Sequence, residues 1–177
     1  MIIRPCADHD LAAITAIYAL EVAEGRASFE LDPPDETEMR RRRAALVEGG
    51  HPYLVAEIDG AVAGYAYAGA YRARPAYRGT VENSVYVSRA HRGRGVARTL
   101  LRRLVEAASA GGFRQMIAVI GDSGNRASIR LHEACGFAHV GVLRSVGWKH
   151  EMWLDTVLMQ RALGSGNALP SDGEERG

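Results

Sequence analysis

Apolar residues recur along the chain with two spacings, close to two in some stretches and close to 3.6 in others. The switches between them divide the sequence into strands and helices. The opening run MIIRPC predicts a first strand. Asp8 then offers an N-cap, and Leu11, Ile14, Tyr18 and Val22 fall on one helical face until Gly25 breaks it. Pro33-Pro34 marks a loop, and a polar helix is predicted over 35–48, closed by Gly49-Gly50. Two apolar runs flank Asp59-Gly60 in PYLVAEIDGAVAGYAYAGAY, the signature of a hairpin with a two-residue turn. The loop YRARPAYRG leads to a strand, TVENSVYVS. A helix over 94–110 carries Val96, Leu100, Leu101, Leu104 and Ala108 on one face and stops at Gly111-Gly112. RQMIAVI reads as a buried strand, GDSGN as a turn and 125–135 as a short helix ended by Gly136. FAHVGVLRSVGW and EMWLDTVLMQRAL are the last two strands. The order β-α-α-β-β-β-α-β-α-β-β predicts an α/β fold over 1–163, one domain with a mixed sheet and helices on its faces. The tail 164–177 has no periodicity and is expected to be disordered.

Composition narrows the class. With 177 residues, 47% apolar and 24% charged, the chain can fill one hydrophobic core. A net charge of +1 provides no global field for nucleic acid or an anionic membrane. The run of arginines at 40–43, preceded by DETEM, reads as a solvated helix face. Cys6 and Cys135 form no CxxC, and the six histidines (9, 51, 91, 132, 139, 150) form no HExxH, so neither a disulfide framework nor a metal is expected. No stretch has the length of a membrane span and the N-terminus lacks a signal-peptide pattern, so the expected compartment is the cytoplasm.

One junction carries chemistry. The strand TVENSVYVS leads through Arg92, Gly93, Arg94 and Gly95 straight into the amphipathic helix. The first turn of a helix has free N–H groups and a partial positive charge, which together suit phosphate. The glycines let the backbone approach a ligand, and the arginines add charge-assisted contacts. The Walker pattern GxxxxGK[ST] is absent, and GRGVAR lacks the third glycine of the dinucleotide fingerprint.

RGRGVA (92–97) resembles the R/Q-x-x-G-x-G/A pyrophosphate loop of the GNAT superfamily of acetyl-CoA-dependent N-acetyltransferases. RGTVENSVYV (78–87), GNRASIRLHEACGF (124–137), VGWKHEMWLD (146–155) and VLMQR (157–161) are similar to one branch of it, the phosphinothricin and methionine sulfoximine N-acetyltransferases. The resemblance implies acetyl transfer from acetyl-CoA to the α-amine of a small amino-acid-like substrate. It implies that Arg92, Gly93, Arg94, Gly95, Val96 and Ala97 hold the pyrophosphate. It further implies that the backbone of Val85, Tyr86 and Val87 pairs with the pantetheine arm, with Asn125 and Ser128 beside it. The resemblance implies a homodimer, since relatives in this branch often pair through their last strands and helices, and the apolar MWLDTVLM permits that.

Such a reaction needs a neutral amine, a polarised thioester carbonyl and a proton for the leaving thiolate. Glu82 is the candidate base, because a carboxylate in a strand of valines is costly unless it is used; the alternative is an ion pair with a loop arginine. Alternation puts Glu82, Ser84 and Tyr86 on one face and Val81, Asn83, Val85 and Val87 on the other. His132, in LHE, is the candidate proton donor, with a pocket-wall histidine as the alternative. Cys135 precedes Gly136-Phe137 at a helix end and reads as packing. A substrate carboxylate calls for a planar cation; Arg72 is the first choice, then Arg74 and Arg78, with Tyr77 beside them. Phe29, in RASFE, is expected to wall the pocket. Trp153 reads as core or dimer interface and Asp155 as a structural partner. HEM (150–152) and Asn83 depart from the branch pattern, and Asn83 stands where many relatives have histidine. Peptide N-terminal acetylation and non-catalytic acetyl-CoA binding stay open.

Overall fold

The computed structural model describes residues 1–168. Seven strands form one sheet in the order β1-β2-β3-β4-β5-β7-β6. These are β1 (Ile2–Pro5), β2 (Tyr53–Ile58), β3 (Ala61–Ala70), β4 (Thr80–Val87), β5 (Gln115–Gly121), β6 (Ala138–Lys149) and β7 (Met152–Ala162). The helices are α1 (Leu11–Glu24), α2 (Glu36–Glu48), α3 (Val96–Ala110) and α4 (Arg126–Ala134). The order of elements is the one the hydrophobic pattern predicts. Three short 3-10 turns are added, at Asp8–Asp10, Pro75–Tyr77 and Arg89–His91.

Each face of the sheet has its own core. On one side α3 buries Leu100, Leu101, Leu104 and Ala108 completely against Ala66, Ala68, Val81 and Met116. Each of those leucines contributes about 2 kcal/mol through burial. On the other side α1 and α2 pack Leu11, Ile14, Val22 and Met39 against Tyr53, Val55 and Tyr65. Among the described residues, no helix is long and apolar enough to cross a membrane.

The ends of the helices differ from expectation in one place. Asp8 does not cap α1; it pairs with Arg40 and Arg43 of α2. Asp10 turns inward, only 1% exposed. Its carboxylate accepts from both Arg4 Nη atoms at 2.7 and 2.8 Å and from the Ala7 N–H at 2.8 Å. The arginine run is solvated only in part. Arg40 and Arg41 pair with Glu36 and Glu38 on the exposed side, whereas Arg42 reaches Glu30 and Arg43 reaches the Cys6 carbonyl.

The feature that makes a site is an unfinished ladder. β3 and β4 pair without a register shift from Gly64–Val87 to Ala70–Val81. The parallel pair β4–β5 runs only from Thr80–Gln115 to Asn83–Ala118, and beyond that the strands diverge. The backbone of β4 past Asn83 therefore has no strand partner on its β5 side. Of the expected tail, 164–168 form turns, and 169–177 lie outside the described residues.

Candidate functional site

The diverging strands open a groove of about 440 Å³ beside Val85, Tyr86 and Val87. Gly93, Gly95, Val96 and Ala97 close one end of it, and Asn125, at the start of α4, forms its far wall with Ser128 and Leu131 of that helix. Gly93 and Gly95 both take positive φ, 73° and 77°, a region in which side chains are disfavoured. Gly95 caps α3, so the N–H groups of Val96 and Ala97 open the helix toward the groove. Arg92 forms an ion pair with Glu21 of α1, which also lines the groove. Asn125 caps α4, its Oδ1 accepting the Ser128 N–H at 3.2 Å.

A second cavity, of about 380 Å³, lies on the α1 face of the split. Glu82 and Ser84 of β4 share it with Tyr18, Tyr67 and Tyr86, as the alternation predicts. Its charged lining side chains are Glu30 and Glu82. Burial pushes the Glu82 carboxyl above the usual carboxylate range, and the nearby Arg72 opposes this. Glu82 has no hydrogen bond or ion pair with the described side chains, so the loop-arginine ion pair is not formed. Glu30 is occupied differently. Its Oε1 accepts from the Tyr18 hydroxyl at 2.7 Å and from Arg42 at 2.6 Å.

The two cavities meet at a notch of about 60 Å³. Ser84, Tyr86 and Gly121 connect it to the Glu82 cavity, and Val85, Asn125 and Ser128 to the groove. His132 forms its floor, 3% exposed. Burial depresses the imidazole pKa, while the Ser128 carbonyl pulls it up.

Known proteins resemble this chain in sequence and in fold. The profile of the Acetyltransferase (GNAT) family matches residues 14–137. A phosphinothricin N-acetyltransferase of Alcaligenes faecalis is 57% identical over 93% of this chain and 84% of its own. The chain belongs to the GNAT acetyltransferase family. A methionine sulfoximine/methionine sulfone acetyltransferase of Salmonella typhimurium is 42% identical over 92% of this chain and 95% of its own. The crystal structure of a GNAT phosphinothricin acetyltransferase from Sinorhizobium meliloti, in complex with acetyl-CoA, superimposes with a TM-score of 0.95. It is 46% identical, covering 98% of this chain and 94% of that one.

Acetyl-CoA suits the groove of this GNAT enzyme for a reason visible in its own geometry. A Cβ built at Gly93 or Gly95 meets nothing within 4 Å, so the two positive-φ residues line an open cradle. Arg94 stands exposed between them. The unpaired edge of β4 offers backbone groups to an amide-bearing arm.

The residues expected at the substrate end are distributed unevenly. Phe29 lines the Glu82 cavity; its ring fits against Gly121 and Gly147, where a Cβ would strike it. Arg72, Arg74, Tyr77 and Arg78 are exposed on the β3–β4 loop and do not line that cavity. Arg72 lies over the Tyr71 ring at 5.1 Å and is the one whose charge acts on Glu82. Trp153 is not core: it is 62% exposed and packs edge-on with Trp148. Asp155 accepts from Ser123 Oγ at 2.7 Å and Ser145 N–H at 2.9 Å, a structural partner as expected. Cys135 is buried, its thiol pKa raised by burial, which suits packing. Lys149 is buried too, and its Nζ donates to the Ser28 carbonyl at 2.7 Å, pinning the loop that carries Phe29.

Tyr18, Tyr67, Glu30 and Ser28 are pocket residues that sequence reasoning missed. Tyr18 falls on the apolar stripe of α1 and reads as core. Tyr67 shares its strand face with Tyr65, and that period of two was the available signal.

Proposed function

We propose that this enzyme transfers the acetyl group of acetyl-CoA to the α-amine of small amino acids of the phosphinothricin, methionine sulfoximine and methionine sulfone class. The observation that carries this reading is the notch. It joins a phosphate-cradling groove to a cavity holding one half-buried carboxylate without an ion-pair partner among the described residues, so an amine beside Glu82 can face a thioester that enters from the groove. Two carboxylates among the cavity's lining side chains attract an ammonium group. Glu82 removes its proton, a β4 N–H near Val85–Val87 polarises the thioester carbonyl, and a proton from the α4 side neutralises the leaving sulfur. Arg72, the exposed loop arginine whose charge acts on Glu82, receives the substrate carboxylate.

The test is CoA release from acetyl-CoA in the presence of phosphinothricin, methionine sulfoximine, methionine sulfone, common amino acids, a polyamine and an N-terminal peptide. Turnover concentrated on the first three is expected. Turnover on the peptide alone would overturn the substrate class.

The same reading includes a homodimer. β6 is an edge strand whose outer side has no partner strand among the described residues. Val140, Val146, Trp148 and Trp153 stand more than half exposed along β6 and β7. A patch of that character marks an association surface. Light scattering is expected to give twice the 19.1 kDa of the chain, and Trp153→Glu is expected to halve that mass. A wild-type mass of one chain would refute the dimer.

A further inference from the structure

Asn83 occupies the last rung of the β4–β5 ladder, opposite Ala118. Its side chain is buried on the face away from Glu82. There Nδ2 donates to the Ile117 carbonyl at 3.0 Å. A carbonyl can only accept, so this bond fixes the amide's orientation and turns Oδ1 toward α4. Oδ1 lies 3.0 Å from His132 Nε2. On the other side of the ring, Nδ1 lies 2.8 Å from the Ser128 carbonyl.

Both neighbours of the imidazole are acceptors. A neutral ring has one N–H and one lone pair. With the proton on Nδ1 the Nε2 lone pair faces Asn83 Oδ1, and with the proton on Nε2 the Nδ1 lone pair faces the Ser128 carbonyl at 2.8 Å, relieved only by the Ser128 hydroxyl at 3.5 Å; at a buried site such mismatches are costly. A ring with both protons satisfies both contacts. Burial opposes that charge, and the groups around the ring decide the balance. β4 presents Asn83 and β5 presents Ala118 and Ile120. The Phe137 ring stands edge-on at 5.0 Å. On α4 itself, Ser128 Oγ lies 3.5 Å from Nδ1 and Glu133 faces solvent. From α3, Arg98 and Arg102 are exposed and act on Cys135. No charged side chain acts on His132.

We propose that Asn83 is a positioning residue for acetyl transfer: its locked Oδ1 keeps His132 protonated on both nitrogens at the closed end of the split, so that the ring holds a proton for the leaving thiolate. This rests on the acetyl-transfer reading above. As the C–N bond forms and the C–S bond breaks, the electron pair of the latter stays on sulfur. Sulfur takes the proton of the Ser128 hydroxyl, which borders the groove, and that hydroxyl takes the Nδ1 proton. The imidazole becomes neutral and regains its proton from solvent. Glu82 passes the ammonium proton to solvent before the attack, takes the second nitrogen proton as the tetrahedral adduct collapses to the amide, and releases that one to solvent as well.

The experiment is a pH titration of 15N-labelled imidazoles, with His132 assigned by loss of its signal in His132→Gln, alongside kcat against pH. Asn83→Leu removes the acceptor; Asn83→Asp keeps it and adds a charge. Wild type is expected to show two N–H groups on His132 at neutral pH. Asn83→Leu is expected to move the ring's midpoint to lower pH and carry the alkaline limb of kcat with it, with a loss of about tenfold or more above that limb. Asn83→Asp is expected to move both the other way, and it supplies the test if the leucine variant does not fold. A wild-type ring neutral at pH 7, a midpoint that ignores both variants, or a midpoint that moves while the kcat profile does not, would each overturn the proposal. The ring titration needs no amine substrate, so a wrong substrate class leaves that readout intact.

Discussion

Replacing Glu82 by glutamine is expected to lower kcat by about 10²-fold or more, with the KM for acetyl-CoA nearly unchanged. Glutamine fills the same space on β4 and leaves the groove intact, but it cannot take a proton from an ammonium group. The wild-type rate is expected to rise with pH through an acidic limb displaced above the usual carboxylate range, because burial raises the Glu82 pKa. That limb disappears in the variant. Stability moves the opposite way. A carboxyl with a raised folded pKa binds its proton more tightly in the native state, so stability falls as pH climbs from the unfolded pKa through the folded one. Above that window the buried charge is a standing cost, and Glu82→Gln removes it. A higher Tm at neutral pH together with a collapsed kcat marks a group kept for chemistry. Wild-type turnover in the variant would remove Glu82 from the mechanism.

Gly95→Val is expected to raise the KM for acetyl-CoA by about tenfold or more, with a smaller effect on kcat. The added side chain meets open space, so the effect is conformational. At φ 77°, a residue with a Cβ pays roughly 1–2 kcal/mol, and β-branching adds to it. The loop escapes by changing φ, which swings the N–H groups of Val96 and Ala97 out of line with the groove. Each 1.4 kcal/mol lost from binding is about tenfold in affinity. Initial rates at varied acetyl-CoA measure this. An unchanged KM would separate the loop from the cosubstrate.

The periodicities made most of the fold legible. Helix and strand spacings, the Asp59-Gly60 turn and the glycine pairs are local signals, and they located every helix and strand to within a few residues. The glycine-arginine junction was legible for the same reason: strand, RGRG and helix are contiguous. What could not be read were choices between neighbours and meetings across the chain. Asp8 reads as a cap by spacing, but it is taken by Arg40 and Arg43 of α2, residues more than thirty positions away. The Glu82 cavity draws on α1, the 27–30 loop, β3, β4, β5 and β7, so Tyr18 looked like core and Tyr67 like an ordinary strand residue. Four consecutive arginines looked alike, yet Arg42 belongs with Glu30 at the cavity. Asn83 stood out only as a departure from pattern; its bond to His132 joins residues 49 positions apart.

Lys149 carries a consequence of another kind. It is the chain's single lysine beside 21 arginines, and its amine is sealed against the Ser28 carbonyl. A protein that works in the company of a reactive thioester thus exposes no ε-amine to it. Guanidinium groups supply the surface cations and are poor acyl acceptors. The catalyst offers its own reaction no exposed side-chain amine.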